Sequence, residues 1–184
     1  PTEFNHICDK AENVYQYINE KINFVISQSA LEHIEKDTFV IEEITKKLCK
    51  NNTPFIQIHM VPASKCLWLY LWHGYRQYSK KNLSNISNLL KKKNNINTCI
   101  IPLGGNNSFW THLRYITLPD YFKKFILKDK AFKWCNQKNF DEKIIKSVNK
   151  ELDCNEEDPI FWAFIISSNK INIKDNLIKN FQTK

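Results

Sequence analysis

Glycine is nearly missing from this sequence: Gly74, Gly104 and Gly105 are the only three in 184 residues. No Gly-x-Gly-x-x-Gly or Walker run occurs, which excludes a glycine-rich phosphate cradle within the chain. Cys-x-x-Cys spacing is absent, and no Cys/His group has zinc-finger spacing. The histidines (His6, His33, His59, His73 and His112) are scattered, with no His-Glu-x-x-His pair, and there is no Gly-x-Ser-x-Gly elbow. No apolar run reaches the length of a membrane span, so any anchoring would come from outside this segment. The first residue is Pro rather than Met, so the chain reads as a processed or trimmed piece whose signal peptide would be gone.

Aromatic residues, by contrast, are plentiful. Twelve Phe and five Trp argue against a disordered chain. The length suits one domain, or one domain with two lobes, and can bury a sizeable core. The net charge of +8 suggests an anionic partner. Lys and Asn are abundant throughout, however, and a compositional bias accounts for the charge, so no nucleic acid is expected. The six cysteines (Cys8, Cys49, Cys66, Cys99, Cys135, Cys154) are widely spaced. They read as long-range disulfides of a secreted, extracellular or lumenal protein, against the alternative of buried thiols. Sequons at Asn51, Asn82, Asn85 and Asn106 point the same way, towards a glycoprotein.

Val14, Ile18, Ile22 and Val25 recur at helical spacing, which predicts a helix over Ala11 to Ile26. Ile41, Ile44 and Leu48 predict a second over Thr38 to Cys49, broken by "NNTP" at Asn51 to Pro54. "FIQIHMV" (Phe55 to Val61) and "CIIPLGG" (Cys99 to Gly105) read as short strands. "CLWLYLWHGY" (Cys66 to Tyr75) and "DPIFWAFIISS" (Asp158 to Ser168) are dense apolar runs. Lys80 to Thr98 is Lys/Asn-rich and reads as a surface excursion with a short helical centre at Ile86 to Leu90. In "YITLPDYF", Thr117 suits a helix N-cap, with Pro119 and Asp120 in the first turn. A further helix is expected from Asp141, stapled by Phe140 and Ile145. Helices followed by short strands mixed with helices predict a mostly helical α+β domain.

Four ordered landmarks carry a family resemblance. Cys66 stands six residues before Trp72; "YITLPDYF" follows; then "FKWC" (Phe132 to Cys135); then "CNEEDPIFW" (Cys154 to Trp162). Together they resemble the ADP-ribosyl cyclases, which are also NAD glycohydrolases. The resemblance covers Cys49 to Ser168 and treats Lys80 to Leu113 as an insertion in a single domain of residues 1–184 with a shortened C-terminal lobe.

The resemblance implies a helical lobe and a lobe with a small parallel sheet, linked by disulfides, Cys49 with Cys154 among them. It implies NAD or a related nucleotide as substrate, no other cofactor and no metal. Trp72 and Trp162 would stack on the cationic nicotinamide ring. Asp120 and Ser167 would line the pocket. The family's catalytic Glu has no counterpart: Pro119 replaces one family acid, and Asp175 is the only acid after Trp162. The catalytic residue is therefore unknown. The alternatives are an inactive secreted or surface binding module of the same fold, and an intracellular helical interaction domain.

Overall fold

The computed structural model of the protein describes residues 5–69, 75–122, 137–151 and 159–171. Its centre is a four-stranded mixed sheet: β1 (Phe24–Gln28), β2 (Ile56–Pro62), β3 (Ile96–Leu103) and β4 (Phe161–Ser168), in the spatial order β1-β2-β4-β3. β1 and β2 are parallel, with Phe24 opposite Ile56 and Gln28 opposite Met60. A parallel pair needs a crossover, and α1 (Asp37–Lys50) supplies it. β4 runs antiparallel to both β2 and β3 and lies between them. α2 (Lys80–Lys93) connects β2 to β3.

Both helices cover one face of the sheet. Val40, Ile41, Ile44 and Leu48 of α1 and Leu83, Ile86 and Leu90 of α2 pack with Val61, Trp162, Phe164 and Ile166 in one cluster. Burying these side chains is worth roughly 1.5–3 kcal/mol each. The opposite face is apolar as well: Ile56, Ile58, Met60, Cys99, Ile101 and Leu103 surround Ala163 and Ile165. This explains the dense run at β4. A central strand that is apolar on both faces has no polar side to alternate with.

The structure corrects the predicted mostly helical, disulfide-linked α+β lobe to an α/β layer built on a mixed sheet. Ala11 to Ile26 is not one helix. It is a 3-10 turn over Ala11–Tyr17 followed by β1. The helical spacing of Val14 to Val25 spans two elements, and the β-branched and aromatic content of "FVISQ" suits a strand. The Lys80 to Thr98 stretch is no surface excursion: it supplies α2 and the start of β3, and Leu83 and Leu90 are fully buried. Thr117 does not cap a helix. Asn106 to Phe122 is continuous: α3 (Asn106–His112), a π-helical turn (Leu113–Thr117) and α4 (Leu118–Phe122). The last helix, α5 (Gln137–Glu151), begins before Phe140, which removes the predicted staple.

Local chemistry sets the start of α2. Ser79 Oγ accepts the Asn82 N–H at 3.1 Å, and Asn82 Oδ1 accepts the Ser79 N–H at 3.2 Å. This reciprocal box satisfies two donors that the first turn leaves open. Ser79→Ala is expected to cost about 1 kcal/mol in urea unfolding. An unchanged midpoint would show that the cap contributes nothing.

Candidate functional site

In open sheets with parallel strands, ligands bind outside the carboxyl ends of those strands. Here that edge is formed by the residues after Gln28, after Pro62 and after Leu103. Ser29 turns the chain out of β1 with φ 46°, and its N–H donates to the Met60 carbonyl at 3.0 Å. Gly104 leaves β3 with φ 66°, where a side chain would be strained and would press on Ile160.

Asp37, at the start of α1, is the polar centre of this edge and is almost fully buried. Its Oδ1 accepts the Thr38 N–H at 2.6 Å and lies 3.2 Å from Arg76 Nη1. Its Oδ2 accepts the Tyr78 hydroxyl. Burial, and then the bond to Asp37, push the Tyr78 phenol above its ordinary range. Tyr78 in turn ties its strand segment to β2, because its N–H donates to the Pro62 carbonyl at 2.9 Å. Trp162 Nε1 donates to the Tyr78 carbonyl at 3.0 Å. One carboxylate thus joins the β1–α1 turn, the 75–79 segment and the top of the sheet.

Below it a second polar line crosses the core. Ser27 Oγ and His59 Nδ1 are 2.8 Å apart, His59 Nε2 and Gln57 Oε1 are 3.3 Å apart, and Gln57 Nε2 donates to Thr45 Oγ1 at 2.9 Å. Thr45 Oγ1 donates to the Ile41 carbonyl at 2.7 Å. Each bond has a donor and an acceptor if His59 is neutral with its proton on Nε2. Burial lowers the His59 pKa to about 4.

Of the predicted site residues, the structure describes Trp162, Ser167, Cys49 and the backbone of Asp120. Trp162 is a core side chain on β4, packed on the face that α1 and α2 cover. Ser167 lies further along the same strand, fully buried, and its Oγ donates to the Ile171 carbonyl at 3.4 Å. Cys49 is a free thiol on α1, and burial pushes its pKa up. The described residues contain no disulfide; Cys8 and Cys99 are free as well. Asp120 lies in α4. Trp72 and Cys154 lie outside the described residues. Among the described residues, no cluster of His, Cys, Asp and Glu could hold a metal ion. No described helix is long and apolar enough to cross a membrane.

Sequence reasoning missed Asp37, Arg76, Tyr78, Gln57 and His59. A signal existed for two of them. In "FIQIHMV", Gln57 and His59 share a face with Val61, so that strand places polar groups on a buried side. Asp37 offered none, since an acid at a helix start is ordinary capping chemistry.

No protein family and no curated protein matches the sequence. Solved structures do match its fold. The plantazolicin methyltransferase BamL, solved in complex with a triazolic desmethylPZN analog and SAH, overlays with a TM-score of 0.50 at 14% identity. The overlay covers 88% of this chain and 59% of that one, so the chain spans less than two thirds of that methyltransferase. A SAM-dependent methyltransferase from Archaeoglobus fulgidus is also similar, with a TM-score of 0.49, 12% identity, and 90% and 68% of the two chains covered. These findings overturn the ADP-ribosyl cyclase resemblance, and with it NAD as partner, hydrolase chemistry and the disulfide framework. The chain shares its fold, a mixed sheet with parallel strands, with BamL.

Proposed function

We propose that this chain is the sheet-forming part of a methyltransferase that uses S-adenosylmethionine. The observation that carries this reading is the mixed sheet, which overlays on BamL, a methyltransferase solved with SAH. The methyl donor and acceptor would meet outside the carboxyl ends of β1 and β2, where α/β sheets of this kind place their ligands.

Asp37 is not a donor-binding group. A ribose diol calls for an accessible carboxylate, and Asp37 is buried with both oxygens engaged by Thr38, Arg76 and Tyr78. The turn after β1, Ser29 to Lys36, carries no glycine to let a ligand approach the backbone. No step of methyl transfer is therefore assigned to these residues. In this reading Asp37, Arg76 and Tyr78 brace the loops that border the site.

Ligand-linked stability of the intact protein tests the reading. SAH at about 100 times its Kd is expected to raise the unfolding free energy by about 2.7 kcal/mol, and NAD to leave it unchanged. Stabilisation by NAD alone, or by neither, would overturn it.

A further inference from the structure

The end of the sheet opposite the candidate ligand edge gathers loops that are distant in sequence. Ile56 lies beside Phe24 on one side and Ser167 on the other, and Ser168 lies opposite Ile96. The residues before β1, β2 and β3 and those after β4 therefore share this end. Side chains tie them together. Asn51 Nδ2 donates to the Asn19 carbonyl at 2.7 Å, and Lys170 Nζ donates to the Asn52 carbonyl at 3.0 Å. Asn169 Nδ2 donates to Asn95 Oδ1, and Asn97 Nδ2 donates to the Ile171 carbonyl at 3.2 Å. Asparagines thus join four chain segments into one continuous rim.

The rim is basic. Lys21, Lys50, Lys91, Lys92, Lys93 and Lys170 are exposed on it, and Glu20 is the one acid in the same loops. Lys93 pairs with Glu42 of α1. The ammonium groups of Lys21, Lys50, Lys91 and Lys92 form no ion pair among the described residues. Lysines in the last turns of α1 and α2 suit each helix dipole taken alone. Lys21 and Lys170 stand on loops, where no dipole accounts for them. Spread along the sequence, these residues read as composition. The fold brings them to one end, where their fields add and attract an extended anion.

The chemistry of the rim selects among polyanions. Binding at an anionic membrane surface combines basic groups with apolar anchors. None of the large exposed apolar side chains lies in these loops. Lys ammonium groups beside Asn amides are instead the donors that contact phosphate and sugar. Loops and helix ends provide no helix or ribbon to enter a duplex groove. We propose that this rim binds a single-stranded nucleic acid by its phosphate backbone, without reading its sequence. The rim lies at the far end of the sheet from the ligand edge, so the inference does not depend on the methyltransferase reading.

Fluorescence anisotropy with a labelled single-stranded RNA of about 20 nucleotides tests it on the intact protein. Four phosphate contacts predict a loss of about 50-fold in affinity between ~50 and ~200 mM salt. Lys50→Gln/Lys91→Gln/Lys92→Gln should weaken binding by at least about tenfold at ~50 mM salt and flatten the salt slope by about 2. The same three positions changed to Arg should retain binding, which separates lost charge from a disturbed fold. Lys36→Gln/Lys80→Gln/Lys81→Gln removes equal charge from the other end of the sheet and should leave affinity within about twofold. Three results would overturn the inference: no anisotropy change at ~50 mM salt, equal losses in the two glutamine triples (which assigns binding to net charge alone), or binding to phosphatidylserine vesicles with none to RNA.

Discussion

Asp37→Ala is expected to lower the unfolding free energy by about 2–4 kcal/mol. The change leaves the buried Tyr78 hydroxyl without its acceptor, which costs roughly 1–3 kcal/mol. It also removes the acceptor for Thr38 N–H at the start of α1, a cap-like loss of about 1 kcal/mol. Arg76 adds less, because its side chain is half-exposed and water can replace the pair. Asp37→Asn keeps one acceptor and should cost less than the alanine. Tyr78→Phe with Asp37→Ala should cost less than the sum of the single changes, because the two groups share one bond. Denaturant unfolding of the four variants measures this. A loss below about 0.5 kcal/mol for Asp37→Ala would show that the carboxylate does not brace this edge.

The second large effect is loss of stability in mild acid through His59. Its pKa is near 6.5 when unfolded and is lowered to about 4 by burial. Between those values the unfolded chain binds the extra proton and the native ring does not. The contribution is therefore fully present above pH ~6.5 and is lost as pH falls towards ~4. From this one group the unfolding free energy should fall by about 2 kcal/mol between pH ~7 and pH ~5, before most carboxylates titrate. His59→Gln cannot take the proton, so that part of the slope should vanish in the variant. Parallel pH profiles for the two proteins would show His59 to be irrelevant to acid stability.

The reason His59 sits there is legible only in three dimensions. Ser27 comes from β1, Gln57 and His59 from β2, and Thr45 from α1. Three elements must pack before each polar group finds its partner. The same holds at Asp37, whose partners Arg76 and Tyr78 are distant in sequence. A carboxylate in the first turn of a helix is read from sequence as favourable to the helix dipole, and that ordinary reading hides the larger role.

The family landmarks failed for a related reason. Cys66, the "YITLPDYF" segment and "IFW" keep a suggestive order, yet order along a chain does not fix which elements touch. Trp162 illustrates it. As a residue in a dense apolar run it is core on simple grounds, and core is where it lies, with its indole N–H satisfied by the Tyr78 carbonyl. Cys49 likewise stands on an apolar helix face as a plain thiol.

The sequence alone determined the elements whose local pattern is consistent over their whole length. α1 follows from Ile41, Ile44 and Leu48 and the break at Asn51 to Pro54. β2 and β3 follow from short apolar runs bounded by Pro and Gly. What only the tertiary structure decided is how they combine: the parallel β1–β2 pair, β4 inserted antiparallel between β2 and β3, and the use of a Lys/Asn-rich stretch as core helix α2. Periodicity reports which side of an element is apolar. It does not report which other element meets that side, because strand order and register are set by contacts between residues far apart in the chain.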